Sequence, residues 1–178
     1  DTARITIAKL FECQLDEIIF TSGATEAMHL GIVGSFLSHY QPEASNHHPK
    51  KIYVSPLVHS CVQNALQYLE NNYAVEIKHL PLTAGGYIDV ENIESGIFET
   101  ASHIILEHGN SETGHLQPVA KLGKKINKWK EENKENPKPI LIVDAAASAV
   151  TEKISLEYQK CDMLILSGEK IGGISGTG

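Results

Sequence analysis

The chain has 178 residues, of which 42% are hydrophobic and 21% charged, and carries a net charge of −7. That length holds one sizeable core and about one domain, and the composition is globular, neither disordered nor membrane-embedded. No apolar run approaches the roughly 18 residues of a membrane span, no signal-peptide pattern opens the sequence, and the acidic balance argues against nucleic acid or an anionic membrane as main partner. Cys13, Cys61 and Cys161 are scattered and lack CxxC spacing, which argues for reduced thiols in a cytoplasmic setting. Both ends read as internal to something longer: Asp1 leads straight into a helical pattern, and Gly178 lies within a glycine-rich loop.

In chain order, strands are predicted at residues 17–21, 51–55, 74–80, 102–108, 139–144 and 162–166. Helices are predicted at 25–38, 58–71, 90–97, 119–133 and 156–159. Met28, Ile32 and Phe36 share one face of the first of these helices, and Val62, Ala65, Leu66 and Leu69 one face of the second. Strands alternating with helices imply an α/β domain with a mainly parallel sheet covered on both faces. Residues 39–50 hold three histidines among Pro, Ser and Asn; without a carboxylate or Cys at ligand spacing they read as a solvated loop, not a metal site. Residues 121–138 mix both charge signs at helical spacing, the pattern of a solvated helix face.

The strand ends carry the chemistry. Thr21-Ser22-Gly23-Ala24-Thr25-Glu26 opens a helix, where free N–H groups and the dipole suit a phosphate, although neither the P-loop nor GxGxxG pattern is present. His59 stands at the next helix start, as a cap or a functional base. Glu107-His108-Gly109-Asn110-Ser111-Glu112-Thr113-Gly114 is a polar turn. Asp144 ends a strand predicted as buried, which is costly for an acid unless it caps a helix or meets a cation or hydrogen bonds. Last, Met163-Leu164-Ile165-Leu166 gives way to Ser167-Gly168-Glu169-Lys170, so that Lys170 stands at the rim where open α/β sheets bind ligands.

In this order the set resembles the large domain of the class V aminotransferase group, most nearly the cysteine desulfurases. The resemblance runs from Ala3-Arg4 through IIFTSGATEA, VHSCV, GGYID, NSETGHLQP and VDAAASAV to SGEKIGGISGTG. It implies a fold-type-I three-layer αβα domain spanning residues 1–178, with a small C-terminal domain elsewhere, and pyridoxal 5′-phosphate (PLP) as cofactor. Lys170 would react with the cofactor aldehyde and then shuttle protons. Asp144 would hold the ring nitrogen protonated, His59 would lie on the ring face and assist acid–base steps, Ala24, Thr25 and Ser167 would hold the phosphate, and Asn110 and Ser111 would face the ring hydroxyl.

The implied reaction removes sulfur from L-cysteine to give L-alanine and a persulfide, in a cytoplasmic protein that is a homodimer at full length and passes sulfur to an acceptor protein. Other class V aminotransferase or lyase chemistry, or a non-catalytic scaffold, are the alternatives. Three positions depart from the family pattern. Glu169 replaces a His that donates towards the phosphate; a carboxylate only accepts hydrogen bonds, and two unit charges about 4 Å apart at a dielectric near 20 repel by roughly 4 kcal/mol. Glu169 must therefore turn away, be protonated or find a cation. Ser111 replaces an amide and Ala147 a Gln. None of the three cysteines occupies the sulfur-accepting position, and the substrate-carboxylate arginine is expected beyond Gly178.

Overall fold

The computed structural model describes residues 2–39 and 51–178. Among the described residues five strands, β1 (Lys51–Val54), β2 (Glu76–His79), β3 (Ala101–Glu107), β4 (Ile140–Asp144) and β5 (Met163–Ile165), form one all-parallel sheet in the order β2-β1-β3-β4-β5. The helices are α1 (Thr2–Phe11), α2 (Ala24–His29), α3 (Ser35–His39), α4 (Ser60–Tyr73), α5 (Ser95–Thr100), α6 (Val119–Glu132) and α7 (Leu156–Gln159). A π-helical turn at Leu30–Gly34 joins α2 to α3. Among the described residues no helix is long and apolar enough to cross a membrane.

Side chains alternate across a strand, so β3 feeds two cores. Ile105 packs with Ile52, Val54, Ile142 and Ile165 against α2, α3 and α4, meeting Met28, Ile32, Phe36, Val62, Leu66 and Leu69. Ile104 and Leu106 pack with Leu141 and Val143 against Phe98 of α5 and Leu122, Ile126 and Trp129 of α6. Burial on both faces is what a parallel sheet requires, and the three-layer αβα expectation holds.

Several predicted boundaries move, each for a physical reason. Residues 17–21 are not a strand. Leu15–Glu17 is a 3₁₀ turn, and Arg4 donates to the carbonyls of Leu15 and Ile18 while lying 5.0 Å over the Phe20 ring. Ile19 and Phe20 stay exposed, and within this segment Thr21 exchanges backbone hydrogen bonds with Gly178. The helix predicted at 90–97 starts at Ser95; residues 89–93 instead form turns, with Asn92 N–H to Asp89 O and Ile93 N–H to Val90 O, and Lys125 of α6 donates to the carbonyls of Val90, Glu91 and Ile93 at 2.6–3.3 Å. The predicted solvated loop at 39–50 lies, apart from His39, outside the described residues.

Strand order reverses at β1. The chain leaves β1 through α4 on one face to reach β2, and leaves β3 through α6 on the other face to reach β4. The C-terminal ends of β1 and β3 therefore flank a topological switch point, the usual crevice for ligands in open α/β sheets.

Candidate functional site

The predicted site residues come to the C-terminal end of this sheet and the loops around it. His59 follows β1 and is the N-cap of α4, its Nδ1 accepting from the Cys61 amide at 3.2 Å. Asn110 follows β3 and spans the switch point: its Nδ2 donates to the Leu57 carbonyl at 2.9 Å, while Oδ1 accepts from the Glu112 and Thr113 amides and the Thr113 hydroxyl. One side chain thus ties the loops after β1 and β3 together. Ser111, the next residue, and Ala147, after β4, are both exposed.

Asp144 ends β4, in register with Glu107 of β3. It is 7% exposed, its Oδ1 accepts from the Ala146 amide at 3.0 Å, and no side chain among the described residues donates to it. Burial pushes its pKa up, opposed by the Ala146 N–H, by His59 whenever its ring is charged, and by the positive field of Lys170. Those fields put three strand ends, β1, β4 and β5, within electrostatic reach of one carboxylate.

Lys170 lies on the 3₁₀ turn Glu169–Ile171, exposed, with its amide donating to the Ser167 carbonyl at 3.1 Å. The glycine loop holds it there by folding back. Gly168 N–H donates to Thr177 O at 2.9 Å, Gly173 N–H to Gly168 O at 2.8 Å, and Gly178 and Thr21 exchange bonds at 3.0 and 2.8 Å. Gly172 and Gly176 take φ of 87° and 86°, a left-handed backbone that disfavours other residues. The same bonds link this loop to the start of α2, where Ala24 and Thr25 present first-turn N–H groups without intrahelical acceptors. Nearby, Glu26 accepts from both the hydroxyl and the amide of Ser22 at 2.6 Å, which holds its carboxyl below the ordinary range. Ser167 is buried below the lysine. Glu169 is exposed and accepts from the Ser175 hydroxyl at 3.2 Å, with no ion pair to a described residue.

Chemically, this arrangement offers an amine, a buried acid needing a donor, an imidazole, and free helix N–H groups for an anion. No group of three metal-ligating side chains occurs among the described residues. Cavities of about 430 and 390 Å³ lie beside His108, Tyr158 and Gln159.

Two members of the site escaped the reading of the sequence. Cys61 Sγ lies 3.1 Å from His59 Nδ1 and within the fields of Asp144 and Lys170; its place two residues after His59 in a helix start was the available signal. Glu107 is 3% exposed, and neither carboxylate oxygen has a hydrogen-bond partner among the described residues. Burial raises its pKa and the charge of Asp144 adds to the rise, opposed by its own backbone N–H and by Ser55 and Gln117, whose side chains lie near the carboxyl without meeting it in hydrogen-bond geometry. As an acid closing an apolar strand it carried the same signal as Asp144.

The chain spans about 40% of the length of the curated relatives it matches. Cysteine desulfurase IscS of Vibrio cholerae is 33% identical over all 178 residues and 40% of the relative's length. Among solved structures, a NifS-like protein superposes with a TM-score of 0.83 at 25% identity, over 99% of this chain and 45% of that one. SspA in complex with cysteine superposes with a TM-score of 0.80 at 28% identity, over 98% of this chain and 46% of that one. Residues 1–178 match the family Aminotransferase class-V along their entire length, and with Lys170, Asp144 and His59 gathered at the rim of a parallel sheet, the chain belongs to that family.

Proposed function

We propose that this chain is the cofactor-binding large domain of a PLP-dependent cysteine desulfurase, which takes sulfur from L-cysteine, gives L-alanine and leaves a persulfide. The observation that carries the reading is the placement of His59, Asp144 and Lys170 at or just after the C-terminal ends of β1, β4 and β5, on one edge of a single parallel sheet. The relatives named cysteine desulfurase and the solved relative in complex with cysteine support the substrate.

When bound, PLP supplies an electron sink for a carbanion next to the substrate amine. The residues present fit it. Asp144 is a buried acid without a side-chain donor, and a ring N–H would complete its hydrogen bonding and favour its ionised form. Lys170 would be the amine that reacts with the cofactor aldehyde and the carrier of protons to and from the substrate. The N–H groups of Ala24 and Thr25, with the hydroxyls of Thr25 and Ser167, would take the phosphate. His59 would lie on the ring face. The Nδ2 hydrogen of Asn110 not used by Leu57, together with Ser111, would address the ring hydroxyl. Of the three options for Glu169, turning away is the one its exposure and its bond to Ser175 support. The sulfur-accepting cysteine and the substrate-carboxylate arginine come from outside this chain, in a cytoplasmic homodimer that hands sulfur to an acceptor protein.

Borohydride reduction of the full-length protein in saturating PLP, followed by peptide mapping, is expected to find a pyridoxyl group on Lys170. Unmodified Lys170 under those conditions overturns the reading. Pyridoxyl-Lys170 in a protein that releases no alanine from L-cysteine points instead to another class V chemistry or to a scaffold.

A further inference from the structure

Cys61 sits on the first turn of α4 inside the group formed by His59, Asp144 and Lys170. Its backbone N–H donates to His59 Nδ1 at 3.2 Å, and its Sγ lies 3.1 Å from the same nitrogen. A ring nitrogen that accepts from an amide N–H carries a lone pair there and not a proton. Nδ1 is therefore the acceptor for both groups, the thiol is the second donor, and the neutral ring carries its hydrogen on Nε2. The thiol is suited to donate: partial burial and the negative field of Asp144 push its pKa up, opposed by nearby backbone N–H groups and Lys170, so it keeps its proton at neutral pH.

We propose that Cys61 is a positioning residue, which locks His59 in its Nε2–H tautomer and fixes the rotation of the imidazole ring by directing two donors at Nδ1. The charged groups facing the pair from other elements are Asp144 at the end of β4 and Lys170 on the 3₁₀ turn after β5. Neither supplies a competing hydrogen bond to Nδ1, so the orientation of the ring is set from within α4. In the cofactor reading, on which the use of this lock rests, His59 then presents N–H and not a lone pair from its outer nitrogen, and its ring plane is set before the cofactor arrives. Pre-setting a side chain removes an ordering cost from binding.

The test uses the full-length protein with ¹⁵N-labelled histidine, without PLP, and assigns the His59 signals by their loss in His59→Gln. Wild type and Cys61→Ser, which keeps both donors, are expected to show one Nε2–H ring; Cys61→Ala, which keeps the amide donor but loses the thiol, is expected to show a raised fraction of the Nδ1–H form. PLP titration should follow the same order. Loss of one neutral hydrogen bond corresponds to about threefold to tenfold weaker binding in Cys61→Ala, against no more than about twofold in Cys61→Ser. A Cys61→Ala spectrum identical to wild type overturns the proposal. So does Cys61→Ser disturbed as much as Cys61→Ala, since that pattern belongs to packing. Failure of the wild type to take PLP on Lys170 would sink the cofactor reading alone; the tautomer measurement, made without cofactor, still decides the role of Cys61.

Discussion

Asp144 and His103 are both buried polar side chains of the sheet, and burial moves them in opposite directions because each resists its charged form. His103, 1% exposed in β3, is held by Ser35 and Ser102 at 2.9 and 3.1 Å, and burial first, then the field of His39, pushes its pKa from 6.5 down to about 4. The unfolded chain binds a proton at this residue between those two values and the folded chain does not. Stability from this residue is therefore complete above pH 6.5 and is lost as pH falls towards 4, by about 3 kcal/mol in total. Urea unfolding of wild type and His103→Gln across that range should show their difference shrinking as pH falls; a constant difference would mean that His103 does not titrate. For Asp144→Asn in the full-length protein, PLP capture should change little while turnover falls about 100-fold, because the amide no longer provides the charge that stabilises a protonated ring. Equal losses in both would assign Asp144 a structural role.

Elements meet more closely than their sequences announce. Gly123 is the point where α6 crosses α7: a Cβ there would overlap the carbonyl oxygen of Gln159 and stand 3.0 Å from both the Cβ and the carbonyl oxygen of Lys160. Alanine is the better helix former by about 1 kcal/mol, yet backbone does not yield as a flexible side chain does. Gly123→Ala is expected to cost about 2 kcal/mol net, or roughly 4–8 °C in Tm. A raised Tm would show that propensity wins and that α7 moves aside. Helix ends were the least legible feature. α4 and α7 finish on Ala74 and Lys160 at φ of 51° and 52°, positions where glycine would have marked the stop. In place of a helix, residues 89–93 make turn bonds, Asn92 N–H to Asp89 O and Ile93 N–H to Val90 O, and Lys125, more than thirty positions away, holds the segment by donating to the carbonyls of Val90, Glu91 and Ile93.

At the scale of the whole molecule, the site exists because the strand order turns back at β1. Loops from β1 and β3 diverge there, Asn110 bridges them through Leu57, and the ends of β4 and β5 bring Asp144 and the Lys170 turn alongside. The glycine loop completes the rim by returning to Thr21. Its bonds explain how Ala24 and Lys170, nearly the length of the chain apart, reach the same edge.

The apolar runs at β1, β3, β4 and β5 and the faces of α4 and α6 were legible in the sequence, because each reports a local period of burial. The residues proposed for the site were legible as well, since polar groups standing immediately after buried runs need a reason to be there. Strand order was not, because pairing partners are chosen by packing between distant segments. The exposed course of Ile19 and Phe20 was hidden for the same reason: their apolar character suggests a buried strand, and Arg4 occupies the carbonyls of Leu15 and Ile18 instead. Nor did spacing alone reveal that the amide and thiol of Cys61 both meet His59 Nδ1, or that Glu107 stands beside Asp144 with no well-formed hydrogen bond from a described residue. Hydrogen bonds depend on distances of tenths of an ångström and on direction, and only the folded backbone sets those.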